Sequence, residues 1–317
     1  MLFQREKIAP ALNRLALDHN VFLGTCSWKF PGWLGILYDE DHYLWQTHFS
    51  KARFERDCLT EYAGTFRTVE VDATFYRHHP TTYFAGLANQ VPDGFHLSFK
   101  VPDDITFKTF PNLKKFGDKR GQPNPGFLSP GLLDMGFLRR LEPFREKTGA
   151  IIFEFSHFHT QDFEHGRDFV AALDHFFNQA PPGWNYAVEI RNPTFLHPDY
   201  FAVLERHGVA HVYNHWTLMP SADQQLSLHP PPAELPLVAR FLLTPSRSFD
   251  YAEHEFAPYH QLKEVDPSAR QSLARLIHTL TTRPKNAPPA YLYIGNALEG
   301  NALHTIANVL TTPDQTH

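Results

Sequence analysis

Cysteine is scarce in this chain: only Cys26 and Cys58 occur in 317 residues. Two are too few for a disulfide framework, and an intracellular, cytoplasmic protein is the simpler expectation. Long apolar runs are missing too, with nothing near the roughly 18 residues that a membrane span needs. The opening Met1-Leu-Phe-Gln-Arg-Glu-Lys7 carries an acid and no apolar centre, so no signal peptide is expected. Basic residues are not in excess. Lys and Arg number 29 against 34 Asp and Glu, a formal net charge of −5, so no global charge draws the chain to nucleic acid. No glycine-rich dinucleotide fingerprint follows the first strand, which weakens an open doubly wound sheet. Neither cysteine has a catalytic motif around it, and no Ser-His-Asp or Cys-His arrangement can be argued.

What is abundant is phenylalanine (28) and histidine (20). The phenylalanines suit packing between a sheet and its helices. Most of the histidines read as surface scatter. The informative stretch is Arg67-Thr-Val-Glu-Val-Asp-Ala-Thr-Phe-Tyr76, where Val69 and Val71 share one strand face and Thr68, Glu70 and Asp72 the other. In 95–101 the pattern repeats, with Phe95, Leu97, Phe99 and Val101 opposite His96, Ser98 and Lys100. Further strands are expected at 21–26, 150–155, 185–191, 209–213, 237–242 and 291–296. Helices are expected at 52–63, 80–89, 132–147, 166–178, 199–207, 267–283 and 302–310. Eight strands mostly alternating with helices predict an α/β fold, a single TIM-like (β/α)8 parallel barrel over 21–312 behind an N-terminal extension, 1–20.

In a barrel the apolar strand face packs on the helices and the other face points inward. That parity sends Glu70, Asp72, His96, Ser98, Lys100, Glu154, Glu189, Arg191 and Arg240 inside. So many charges there need mutual compensation, as a site or as a structural ion network.

Several motifs resemble one family. They are Gly24-Thr-Cys-Ser-Trp28, the run from Glu61 to Tyr76, Pro92-Asp-Gly-Phe95, Phe99-Lys-Val-Pro102, Ala187-Val-Glu-Ile-Arg-Asn-Pro193 and the region 296–301. In this order they resemble the YecE-like family, the domain of unknown function numbered 72. The resemblance implies a TIM-like barrel and no established activity. The chain departs from the family pattern after strand four, where Glu154-Phe-Ser-His-Phe158 replaces a glutamine and paired prolines. It departs again after Arg240, where Phe241-Leu242 replaces His-Gly.

The inward charges suggest an enzyme, a hydrolase, lyase or isomerase acting on a small anionic or sugar-like substrate. Glu70, Asp72 and Glu189 are the expected catalytic carboxylates. Lys100, Arg191 and Arg240 form an expected anion pocket. Trp28, Tyr76, Asn214 and Asn296, at the strand ends, complete the expected substrate-binding set, with Trp33 and Trp216 as further stacking candidates. No cofactor is expected. Glu154, His157, His159, Glu189 and His215 are the ligand types of a divalent-metal barrel, but their spacing matches no motif. The rival reading is a nucleic-acid-binding protein or metal-dependent nuclease of the endonuclease IV type. It rests on Lys108, Lys114, Lys115, Lys119 and Arg120, set among Phe107, Phe110 and Phe116 in the long 102–130 loop. No membrane partner is expected, and oligomeric state is not legible.

Overall fold

The eight expected strands all form. The structure, a computed structural model, describes residues 3–311, apart from the Lys115 side chain. The ends of the two expected segments, 1–2 and 312, lie outside the described residues. In chain order the strands are β1 (Val21–Thr25), β2 (Thr68–Val71), β3 (His96–Lys100), β4 (Thr148–Glu154), β5 (Asn185–Glu189), β6 (Ala210–His215), β7 (Leu237–Phe241) and β8 (Ala290–Ile294). Neighbours pair in parallel from β2 round to β8, and β8 pairs with β1.

The last seam, β1 against β2, is closed differently. One bridge joins Cys26 to Glu70, and the Ser27 N–H donates to the Glu70 carbonyl at 2.9 Å. Below it the Tyr62 hydroxyl replaces ladder bonds, accepting from the Thr25 N–H and donating to the Thr68 carbonyl, each at 3.1 Å. A Cβ on Gly24 would lie 2.4 Å from the Thr68 carbonyl oxygen, so the close approach requires glycine. The result is a nearly closed (β/α)8 barrel.

Period-two alternation divides the interior from the helix layer as expected. Val69, Val71, Leu97, Phe99, Ile151, Phe153, Val188, Leu292 and Ile294 face outward into one large core with the helices. Phe153 meets Phe176 and Phe177 of the helix Gly166–Phe177 edge-on at 5.5 Å, and each fully buried phenylalanine contributes roughly 1.5–3 kcal/mol. Phe22, Ala150, Ile152, Ala187, Ala210, Val212, Val238, Tyr291 and Tyr293 form a separate core inside the barrel. Its floor is aromatic: Phe22 packs on His96 and Tyr291, and the Tyr291 hydroxyl lies 2.9 Å from His96 Nδ1. The middle layer is hydroxylic, with the Tyr293 O–H donating to Ser98 at 2.6 Å and lying 2.9 Å from the Thr68 hydroxyl. Alanines at 150, 187 and 210 leave room for the two tyrosines. Charge occupies the top layer alone.

Some boundaries differ from expectation. Residues 132–147 are not one helix: Pro130–Leu133 is α-helical, Asp134–Leu138 a π-turn, Arg139–Leu141 α-helical and Glu142–Lys147 a 3-10 stretch. Pro143 removes an N–H there, and Gly136 packs against the His78 ring. Pro80 is the N-cap of Thr81–Ala88 rather than part of its first turn. β6 runs on to include Asn214 and His215, whereas Arg191 lies past the end of β5. The 1–20 segment carries a helix, Arg5–His19, that buries Ile8, Leu12 and Leu15 in the outer core. A small antiparallel hairpin, Leu44–Trp45 with His48–Phe49, was not expected, nor were the loop helices Ala222–Leu228 and Phe249–Phe256. Among the described residues no helix is long and apolar enough to cross a membrane.

His78 fastens two of the loops that rise around the mouth. Its Nε2 lies 2.7 Å from Asp104 Oδ2 and its Nδ1 lies 3.1 Å from the Gly136 carbonyl oxygen. Both neighbours accept, so both ring nitrogens donate and the imidazole is cationic. The bond to Asp104 raises its pKa against the opposing effects of burial and of Arg140. A histidine raised on folding stabilises fully below its unfolded value of about 6.5, and that contribution is lost as pH rises through the folded value. The melting temperature is therefore expected to fall more between about pH 6 and pH 8 in the native protein than in His78→Asn. Superimposable pH profiles would show that the clasp carries no charge.

Candidate functional site

The top layer is built from strand ends that reach one height. Glu154 and Glu189 are register partners on β4 and β5, so two carboxylates stand side by side. Arg240 on β7, in register with Asn214 and Tyr293, points between them. Its Nη1 donates to Glu154 Oε2 at 2.7 Å and to Glu189 Oε2. Its Nε and Nη2 fork onto the two oxygens of Glu70, both at 2.7 Å. One guanidinium thus ties together strands β2, β4 and β5, a geometry that a lysine could not reproduce. Glu154 Oε2 also receives Lys100 Nζ at 2.9 Å and Arg191 Nη2 at 3.0 Å. Lys100 reaches Asp72 Oδ1 at 3.3 Å and lies 4.2 Å from the Phe75 ring centre. Arg191 donates from Nε to Glu189 Oε1 at 3.1 Å and stacks on Trp216, with Cζ 3.9 Å from the ring centre. Glu189 Oε1 further accepts from Asn214 Nδ2 at 3.3 Å.

The expected cations and carboxylates therefore do converge. Exposure separates them. Side-chain exposure is 33% for Asp72 and 15% for Arg191, but 6% or less for Lys100, Glu154, Arg240, Glu70 and Glu189. Burial alone would neutralise the sealed groups, and partners decide which stay charged. Burial pulls Arg240 down, yet Glu189, Glu70 and Glu154 hold it well above its ordinary value. Lys100 is likewise raised, since Glu154 and Asp72 outweigh its burial. Glu154 is driven well below the carboxylate range, because Arg191, Lys100 and Arg240 outweigh its burial. Glu70 goes the other way: burial and Asp72 raise it further than Arg240 and Lys100 lower it.

The remaining expected residues do not all belong. Trp28 and Trp33 are buried in the loop after β1, at 3% and 0% exposure, and offer no stacking face. Asn296 is buried, and its side-chain oxygen accepts from the Ala302 N–H at 2.8 Å. Asn214 is sealed and bonded to Glu189 and the Ile190 carbonyl. Tyr76 stands 60% exposed at the rim. The metal-ligand types do not assemble: Glu154 and Glu189 are engaged by guanidiniums, His157 and His159 are exposed, and His215 pairs with Asp266 at 3.3 Å. Among the described residues no group of three His, Cys, Asp or Glu side chains is placed to hold a metal ion. The 102–130 loop is folded rather than loose. Phe110 and Gln122 pair through their backbones, and Lys108 sits 5.2 Å from both Phe127 and Phe163. Glu154, inward by parity and expected only among the metal-ligand types, is the hub that three cations share.

The protein family described as protein of unknown function DUF72 matches residues 22–315, which bears out the resemblance read from the motifs. Among solved structures, a DUF72 family protein from Enterococcus faecalis V583 is similar at a TM-score of 0.57 and 16% identity, covering 92% of this chain and 97% of that one. A DUF72 family protein from Thermotoga maritima MSB8 is similar at 0.57 and 19% identity, covering 92% and 96%. At that identity the likeness shows the fold alone. No curated protein matches the chain.

Arg240→Met should leave three buried carboxylates short of their counter-charge and destabilise the fold by about 3–5 kcal/mol. Arg240→Lys should recover little of this, since an ammonium cannot fork. Chemical denaturation checks both. A loss below about 1 kcal/mol in Arg240→Met would mean that the guanidinium is dispensable.

Proposed function

The chain belongs to the DUF72 family, and we propose that it is an enzyme acting on a small molecule in the charged barrel mouth, with Asp72 as the proton-transferring group. One observation carries this reading. Five members of a seven-residue ion network are sealed, and the two that open, Asp72 and Arg191, are a carboxylate and a guanidinium at the C-terminal strand ends. That is where (β/α)8 enzymes place their chemistry. The five sealed groups can meet only the protein, whereas Asp72 and Arg191 can also meet a ligand. Asp72, held beside the Lys100 ammonium, is placed to take a proton from a bound substrate and return it, the step that hydrolases, lyases and isomerases share. Arg191, flattened on Trp216, positions the substrate. Glu70 and Glu189, the other two expected catalytic carboxylates, are sealed against Arg240, and in this reading they serve as positioning groups.

The nucleic-acid reading finds less support. Lys108 is clasped by phenylalanines, Lys119 lies 5.6 Å from the Phe110 ring and Arg120 donates to the Gly117 carbonyl.

The test is a substrate screen by mass spectrometry on a mixture of small metabolites. The native protein is expected to consume one class of compound, and Asp72→Asn to do so about 100-fold or more slowly with its melting temperature little changed. Equal turnover by Asp72→Asn would remove Asp72 from the chemistry. No turnover, together with salt-sensitive binding of single-stranded DNA, would favour the rival reading.

A further inference from the structure

We infer that the substrate is a neutral, polyhydroxylated, sugar-like molecule rather than an anion. This rests on the barrel mouth being a ligand site and names its ligand class from the charge balance and the unused hydrogen-bonding positions of the network.

The charge balance comes first. Four carboxylates (Glu70, Asp72, Glu154, Glu189) face three cations (Lys100, Arg191, Arg240). The formal sum is −1 with every group ionised and zero if one carboxyl keeps its proton. It is positive in neither state. An anion entering the mouth would add like charge to a largely desolvated set, where charge is most expensive. Arg240 is sealed behind the carboxylates it already serves, and Arg191 already spends Nε and Nη2 on Glu189 and Glu154. A neutral molecule carries no such penalty.

The unused positions point the same way. All three donors to Glu154 land on Oε2. Its Oε1 has no partner among the described residues, although Glu154 is 5% exposed. A carboxylate oxygen at the top of β4 that accepts nothing from the protein and keeps some contact with solvent can take a donor from a ligand. Asp72 Oδ2 is the second open acceptor, since Lys100 takes Oδ1. Arg191 Nη1 is the open donor, its Nε and Nη2 being engaged. Two carboxylate acceptors beside one guanidinium donor match vicinal hydroxyls, each of which donates and accepts. A carboxylate only accepts, and phosphate near neutral pH keeps few P–O–H donors beside its accepting oxygens, so both would face two carboxylate oxygens with little to give them. The exposed Tyr76 ring and the edge of Trp216 supply apolar surface for the C–H side of such a molecule.

A thermal-shift titration decides the matter, using a panel of neutral hexoses and cyclitols in one arm and inorganic phosphate and small carboxylates in the other. At least one neutral polyol is expected to raise the melting temperature saturably, as a ligand of the native state does. Asp72→Asn should weaken that response roughly tenfold by exchanging a charged acceptor for a neutral amide. Glu154→Gln should weaken it too. Because that change could also disturb the hub, the milder Asp72→Asn is the deciding variant. A saturable response to phosphate or a carboxylate that is lost in Arg191→Lys, with none to the polyols, would overturn the substrate class while keeping the mouth as the site. No saturable response in either arm would overturn both this inference and the reading beneath it.

Discussion

Everything at the centre of this barrel depends on one guanidinium. Burying Glu70, Glu154 and Glu189 together would cost several kcal/mol per uncompensated ion, and only a planar, permanently charged group with donors on three sides can meet all three carboxylates. Arg240 does so. Its position explains the layers below it: alanines at 150, 187 and 210 leave width for Tyr291 and Tyr293, and their hydroxyls close the polar floor on which the charged layer stands. It also explains the seam. Glu70 has to reach across from β2 to β7, and the Cys26–Glu70 bridge, Tyr62 and Gly24 fix the height at which it does so.

The network is strong inside and open at its edge. Lys100 and Arg191 pass the central charge outward to Asp72 and to the Trp216 face, so the groups that meet solvent are held in place by groups that do not. The proton transfer proposed for Asp72 needs such an arrangement, a carboxylate of fixed position on a rigid support. The loops above are themselves fastened, by His78 between the 73–80 and 103–106 segments and the 134–138 turn, and by Lys108 between two phenylalanines.

Much of this was legible in the residues before any coordinates. A period of two tells inside from outside, so Glu70, Lys100, Glu154, Glu189 and Arg240 could be assigned to the interior from Val69, Phe99 and their neighbours alone. Parity gives direction but not distance. It could not show that three cations share one oxygen of Glu154, nor that Glu70 and Glu189 are sealed while Asp72 is open. Trp28 and Asn296 misled for a related reason: loop aromatics and amides look the same in sequence whether they bind a ligand or anchor the loop, and only burial separates them. The hairpin at 44–49 escaped notice because its turn residues, Gln46 and Thr47, adopt φ of 48° and 72° without the Asn-Gly or Gly signal that such turns usually carry.

The central claim is that the charged layer is sealed at Arg240 and open at Arg191. Side-chain nitrogen-15 NMR of the arginine guanidinium protons tests it most directly, by their exchange with water. Arg240 protons are expected to exchange only through the largest openings of the fold, orders of magnitude more slowly than those of Arg191. Equally slow exchange at both would make the layer a closed filler, and equally fast exchange would mean that Arg240 is not buried against its carboxylates.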